Sequence, residues 1–138
     1  MLLVQQIDES QAGEAPAENF VGHVRMQKLA EAGGMGKVEL LAVFFEAGAH
    51  TRPHTHPSEQ MLYFARGSGF VQFAGEERQH VAQGGIVVIP GGVLHMHGAT
   101  EGEAICHVAL RAADGPTDWA PEDVPDEWRG LLASDGHG

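Results

Sequence analysis

From position 37 to position 110 the chain is a succession of short apolar runs, each closed off by glycine, proline or acidic residues. The runs fall at 37–46, 50–56, 61–66, 69–73, 78–82, 86–89, 93–98 and 104–110, with a weakly alternating one at 20–26. Runs at spacings of roughly 8–12 residues, with no amphipathic helical period between them, predict antiparallel strands closing into a barrel or sandwich. The run at 37–46 is rich in the β-branched and aromatic residues that suit a pleated, half-buried surface. The 19 glycines sit between the runs, so they read as turn formers rather than as a signature of disorder. With 138 residues there is length for one domain with a real core. The expectation is therefore an all-β, single-domain antiparallel barrel over 20–112, preceded by an arm and loop at 1–19. Within that arm, 2–7 could add a short strand. The tail at 113–138 is expected to carry one short helix near 126–132, packed by Trp119, Trp128 and Leu131.

Charge narrows the partners. The formal net charge is −11, and only 8 Lys and Arg are scattered along the chain. Binding to nucleic acid or to an anionic membrane surface needs clustered cations, so neither is expected as a partner. No apolar run approaches the ~18–20 residues that span a bilayer, and the first residues lack the basic start of a secretion signal. The single Cys106 has no internal disulfide partner, which suits a reducing cytoplasm.

Two stretches carry the chemistry. In the first, Gly48 to Gly67, His54 and His56 are two apart, the spacing that puts both imidazoles on one face of an extended strand. In the second, Gly84 to Gly98, His95 and His97 repeat that spacing. These stretches resemble the paired motifs of the cupin superfamily, G-x5-H-x-H-x3-4-E-x6-G and G-x5-P-x-G-x2-H-x3-N. Gly48, His54, His56 and Gly67 fit the first, with Gln60 at the acid position. Gly84, Pro90, Gly92 and His95 fit the second, with Ala99 in place of the final Asn. The resemblance implies a cupin β-barrel, or jelly roll, holding one divalent transition metal on His54, His56, Gln60 and His95.

Neutral imidazole is the commonest protein ligand for such metals. Gln60 would bring a neutral carbonyl oxygen where Glu would bring a charge, leaving a more Lewis-acidic centre; alternatively the metal sees only the three histidines. Glu59 should point to the opposite face from Gln60. His97 and His107 exceed the metal set. A hairpin joining 93–98 to 104–110 with even-sum register would put His95, His97 and His107 on one face. There they would act as general acid and base, or simply orient His95. Val43, Phe45, Leu62 and Phe64 are expected to pack as core, and in a small barrel the same side chains can also wall an apolar substrate pocket, with Arg52 at the rim to hold a substrate anion.

The pattern H-x-H-x3-Q and H-x-H-G-A, with His107 twelve residues after His95, is similar to that of small bacterial manganese-dependent cupin hydroxynitrile lyases. These stand beside carboxymuconolactone-decarboxylase-like cupins. The similarity extends to Phe20-Val-Gly-His-Val-Arg25, Glu46-Ala-Gly-Ala49, Pro116-Thr-Asp-Trp119 and Asp126-Glu-Trp-Arg129. Pro53 and Met96 depart from it, since aromatics are frequent at both positions. The similarity implies a lyase that cleaves or forms a carbon–carbon bond of a small oxygenated substrate, with His97 and His107 in the active site. It implies manganese first, with iron, nickel or zinc as alternatives; a homodimer is expected because such small barrels usually bury an apolar sheet face between subunits. An iron-dependent dioxygenase, an isomerase acting on sugar acids, and a non-catalytic metal-binding cupin are the competing readings.

Overall fold

Residues 4–30 and 38–132 are described by the structure, a computed structural model. Within them eleven strands form two antiparallel sheets facing each other. The first sheet takes the order β1 (Gly13–Glu14), β3 (Val24–Ala30), β4 (Val38–Phe45), β11 (Ile105–Ala112), β6 (Gln60–Arg66), β9 (Ile86–Ile89). The second runs β2 (Phe20–Val21), β5 (His50–Thr51), β10 (His95–Ala99), β7 (Gly69–Phe73), β8 (Gln79–Val81). Each strand alternates inward and outward side chains, as the period of two requires. On β6 the buried residues are Gln60, Leu62 and Phe64, and Met61 and Tyr63 are exposed between them. Glu59 is exposed and Gln60 buried, as the alternation requires.

The space between the sheets is filled by Phe45, Leu62, Phe64, Val71, Ile89 and Ile105, all essentially sealed from solvent. Burying one such side chain stabilises the fold by roughly 1.5–3 kcal/mol. A second cluster, Phe70, Met96, Val124 and Trp128, lies on the outer face of the second sheet and is covered by the C-terminal tail. This places Met96 away from His95 and His97, its neighbours on β10. Gly98 is required where β10 meets β5: a Cβ there would lie 2.5 Å from His50 Cα.

Several expectations need correction. The runs at 93–98 and 104–110 form no hairpin: β10 pairs with β5 and β7, while β11 pairs with β4 and β6 in the opposite sheet. The turn residues 100–104 carry the chain from one sheet to the other, so His97 and His107 meet across the barrel rather than along one face. Residues 4–7 carry no strand, and 1–3 lie outside the described residues. The tail turn is a 3-10 helix, Asp126–Leu131, with Trp128 buried in it, but Trp119 packs elsewhere. Among the described residues no helix is long and apolar enough to cross a membrane.

Candidate metal centre

The strand β5 ends at Thr51, and the chain re-enters the sheet only at His54, which forms an isolated bridge with His95. The pair exchanges two backbone hydrogen bonds, His54 N to His95 O and His95 N to His54 O, both 3.1 Å. Directly opposed residues project from the same face. Their rings accordingly lie 4.2 Å apart, centroid to centroid. Each ring is held by a bond from Nδ1 to a carbonyl two residues back: His54 to Arg52 O and His95 to Val93 O, both 2.8 Å. A carbonyl can only accept, so Nδ1 carries the proton and Nε2 keeps its lone pair.

His56 sits 4.9 Å from the His54 ring and 5.4 Å from the His95 ring. His97 is 5.4 Å from His54 and 5.6 Å from His95, nearly parallel to the latter. Across the barrel, His107 Nε2 is 2.9 Å from His97 Nδ1. Phe45 and Phe64 pack against the His107 ring at 5.0 and 5.4 Å.

Buried polar atoms are nearly always paired, so those that are not point to a missing partner. Here the unpaired ones include His56 Nε2, Gln60 Oε1, His95 Nε2, His97 Nε2 and His107 Nδ1. Imidazole nitrogens and an amide oxygen, buried and without well-formed hydrogen bonds, fit a first-row divalent metal, and the Gln60 side chain lies close enough to His56 to act on its protonation. Three of the histidines could hold one ion. Among the described residues, His54, His95 and His97 have ring nitrogens that all lie within 4.8 Å of one another. Ring centroids favour His56 over His97 as the third member. The two rings differ in their Nδ1 partner: His97 Nδ1 lies against His107, another titratable ring, whereas His56 Nδ1 meets the hydroxyl of Thr117 at 3.0 Å. Both keep an unpaired Nε2, and His54, His56 and His95 are the set that the sequence motif offers.

Burial holds these rings neutral. It lowers His95 and His107 to about 4. His56 also falls to about 4, through burial reinforced by His95 and Arg111. His54 and His97 lie well below the usual histidine value, again first through burial, with His95 adding to it at His54 and His107 at His97. At neutral pH the cluster therefore offers lone pairs rather than positive charges.

The site opens into a cavity of about 90 Å³ lined by His56, Gln60, His97 and His107 together with Val43, Phe45, Leu41, Met26, Phe20 and Trp119. A larger cavity of about 550 Å³ lies between β7, β8 and β9 and touches none of these histidines, so the smaller one is the chemically relevant space. Of the pocket residues expected from sequence, Val43 and Phe45 line the cavity. Leu62 and Phe64 lie deeper, fully buried in the core. Arg52 is turned to the tail, donating from Nη1 to Leu131 O at 3.3 Å, and does not line the cavity.

Other residues at the site had gone unnoticed. Arg111 and Glu39 enter the cavity wall from β11 and β4, 3.5 Å apart between Nε and Oε1. Gln60, Arg111 and Glu39 are successive register partners across β6, β11 and β4. Shared parity with His107 and Val43 was the available signal for both. Trp119 lies against the His54 ring at 4.3 Å and Phe20 at 6.0 Å, which removes it from the tail helix it was expected to pack. Thr117 and Trp119 come from an aperiodic segment that strand patterning cannot place.

Residues 42–110 match the Cupin domain family, and the match begins on β4 and ends on β11. The chain belongs to the cupin superfamily. A relative named (R)-mandelonitrile lyase, from Granulicella tundricola, is 35% identical over 126 residues, covering 90% of this chain and 95% of that protein. A cupin-like protein from Thermotoga maritima superposes with a TM-score of 0.79 at 30% identity, covering 93% of this cupin and 98% of the other. The polyketide cyclase RemF from Streptomyces resistomycificus shares the fold, with a TM-score of 0.72 at 17% identity over 94% and 99% of the two chains.

Proposed function

We propose that this cupin is a metal-dependent lyase that cleaves or forms the carbon–carbon bond of a small cyanohydrin. The observation that carries the reading is the His97–His107 pair, which opens with an unpaired Nε2 into the cavity that also holds His56 and Gln60. The similarity to a mandelonitrile lyase supports the substrate class. His54, His56 and His95, each through Nε2, and Gln60, through Oε1, are the residues that would hold the metal, manganese by preference. When bound, the metal would supply Lewis acidity toward the substrate oxygen.

The protein's own part is proton movement and exclusion of water. With His97 Nδ1–H donating to His107 Nε2, His97 Nε2 is a neutral base facing the substrate hydroxyl. That nitrogen takes the hydroxyl proton, the oxygen's electron pair forms the carbonyl, and the C–CN bond breaks with its pair on the cyanide carbon. The proton then returns to cyanide, giving aldehyde and hydrogen cyanide with no change of redox state. His107 shares the charge while His97 is protonated. Phe20, Val43, Phe45 and Trp119 give the cavity an apolar wall that keeps bulk water from the developing charges.

Benzaldehyde release from mandelonitrile, abolished by chelation and restored by a divalent metal without O2 uptake, is the expected result. Substrate-dependent O2 consumption would instead make the enzyme a dioxygenase and sink this reading.

We also propose a homodimer. On the outer face of the first sheet Met61 opposes Val88 and Tyr63 opposes Ile86, and all four are exposed. Beside them the same sheet face continues into Leu40, Val108 and Leu110. A contiguous apolar face of this kind marks an interaction surface, and a second copy of the chain would cover it. Tyr63→Glu with Ile86→Glu should convert a dimer to a monomer in light scattering. A wild-type monomer at micromolar concentration would refute the assignment.

A further inference from the structure

His54 and His95 are each oriented locally, by the carbonyl two residues back. For His56 the equivalent carbonyl is His54 O, which already accepts from His95 N. Its orienting partner comes instead from the tail, 61 residues on: Thr117 Oγ1, 3.0 Å from His56 Nδ1. The geometry points to Thr117 as the positioning residue for His56, and to residues 114–119 as a strap that completes the metal centre.

The strap is anchored on both sides of that contact. Arg111 Nη1 donates to Gly115 O at 3.0 Å, and Ser58 Oγ donates to Asp114 Oδ2 at 2.7 Å. Thr55 and Asp118 exchange backbone bonds of 3.1 and 2.9 Å, forming an isolated antiparallel bridge beside the ligand. Trp119 then covers the His54 ring. Thr117 is thereby held in place from before and after. When the hydroxyl oxygen accepts from Nδ1–H, the His56 lone pair is confined to Nε2, which is buried. Ring orientation and donor strength of a metal-binding histidine depend on such a partner, whose loss weakens metal binding by about 10–100-fold.

The inference rests on the metal-centre reading above, so the test has one arm with metal and one without. Thr117→Val keeps the shape of the side chain and removes the hydroxyl; Thr117→Ser keeps the hydroxyl. In competition with a chelator for Mn²⁺, the valine variant should bind about 10–100-fold more weakly and the serine variant within a few-fold of wild type. In metal-free protein, ¹⁵N spectra of histidine should place the His56 proton on Nδ1 in wild type and Thr117→Ser, and give a mixture of tautomers in Thr117→Val. Equal Mn²⁺ affinity with an unchanged tautomer in Thr117→Val would overturn the role. Weak binding by both variants would also overturn it, because the loss would then come from packing. If wild type binds no divalent metal, the metal reading fails, while the tautomer arm still decides whether Thr117 sets the His56 ring.

Discussion

His97→Ala should keep its metal and lose turnover, whereas His56→Ala should lose the metal itself. By ring centroid the two imidazoles are nearly equidistant from His54 and His95, and ring-nitrogen distances group His97 with that pair, so distance does not assign their roles. Their Nδ1 partners do. A ring bonded to another neutral imidazole has a proton that can sit on either side, which suits transfer. A ring bonded to a threonine hydroxyl on a pinned strap is held in one orientation, which suits ligation. Removing a positioned general base typically costs about 10²–10⁴-fold in rate. Removing one ligand should weaken metal binding by about 100-fold or more, beyond the about 10–100-fold effect of an orienting partner. Metal content and mandelonitrile turnover measured on the same samples read both. The reverse outcome, metal lost in His97→Ala and kept in His56→Ala, would make His54, His95 and His97 the ligand trio and leave His107 without its proton partner.

Metal-free protein should lose its stability as pH falls from about 6.5 to about 4. Histidine is normally half-protonated at about 6.5 in an unfolded chain. In the folded chain His56, His95 and His107 are held at about 4 by burial. Between those values the unfolded state binds more protons, so stability rises with pH across the window and is fully present above it. A displacement from 6.5 to about 4 corresponds to roughly 3 kcal/mol for each ring. Even one such ring is a sizeable share of the total stability of a typical domain, about 5–15 kcal/mol, and the rings do not simply add because His95 contributes to the lowering at His56. His54 and His97 are displaced in the same direction. Thermal midpoints of metal-free protein between pH 7.5 and 4 should fall steeply below 6.5. Bound metal should protect, because it competes with protons for the same nitrogens. A flat profile down to pH 4.5 in the absence of metal would show that the cluster is not buried and neutral as described.

The barrel was legible because burial on one face of a strand imposes a period of two. Gln60, Leu62 and Phe64 inward with Met61 and Tyr63 outward is that rule in a single strand. The histidine spacing was legible for the same reason, and it brought His54, His56 and His95 into one cluster. Strand parity also held what was overlooked: Arg111 shares its face with His107, and Glu39 with Val43. The partner of each strand was not legible. Runs adjacent in sequence usually pair, yet β10 and β11 separate into opposite sheets, and the even-sum argument for His97 and His107 applied to a hairpin that does not exist. They still meet, because each points inward from its own sheet. Arg52 is not free at the rim because the strand stops at Thr51 and the side chain that follows turns to the tail, onto Leu131 O. The tail was least legible. Thr117 and Trp119 reach the site through backbone bridging and ring packing 61 to 65 residues away in sequence from the histidines they touch, and no local pattern encodes that.

The most direct test of the metal centre is the metal content of protein that has been stripped with chelator and then reloaded with a single divalent ion. The account predicts one ion per chain in wild type, a histidine-coordinated spectrum, and no stoichiometric ion in His95→Ala. A folded wild-type protein that retains no stoichiometric divalent ion under any loading condition would contradict it, and the unpaired nitrogens of His56 and His95 would then need another partner.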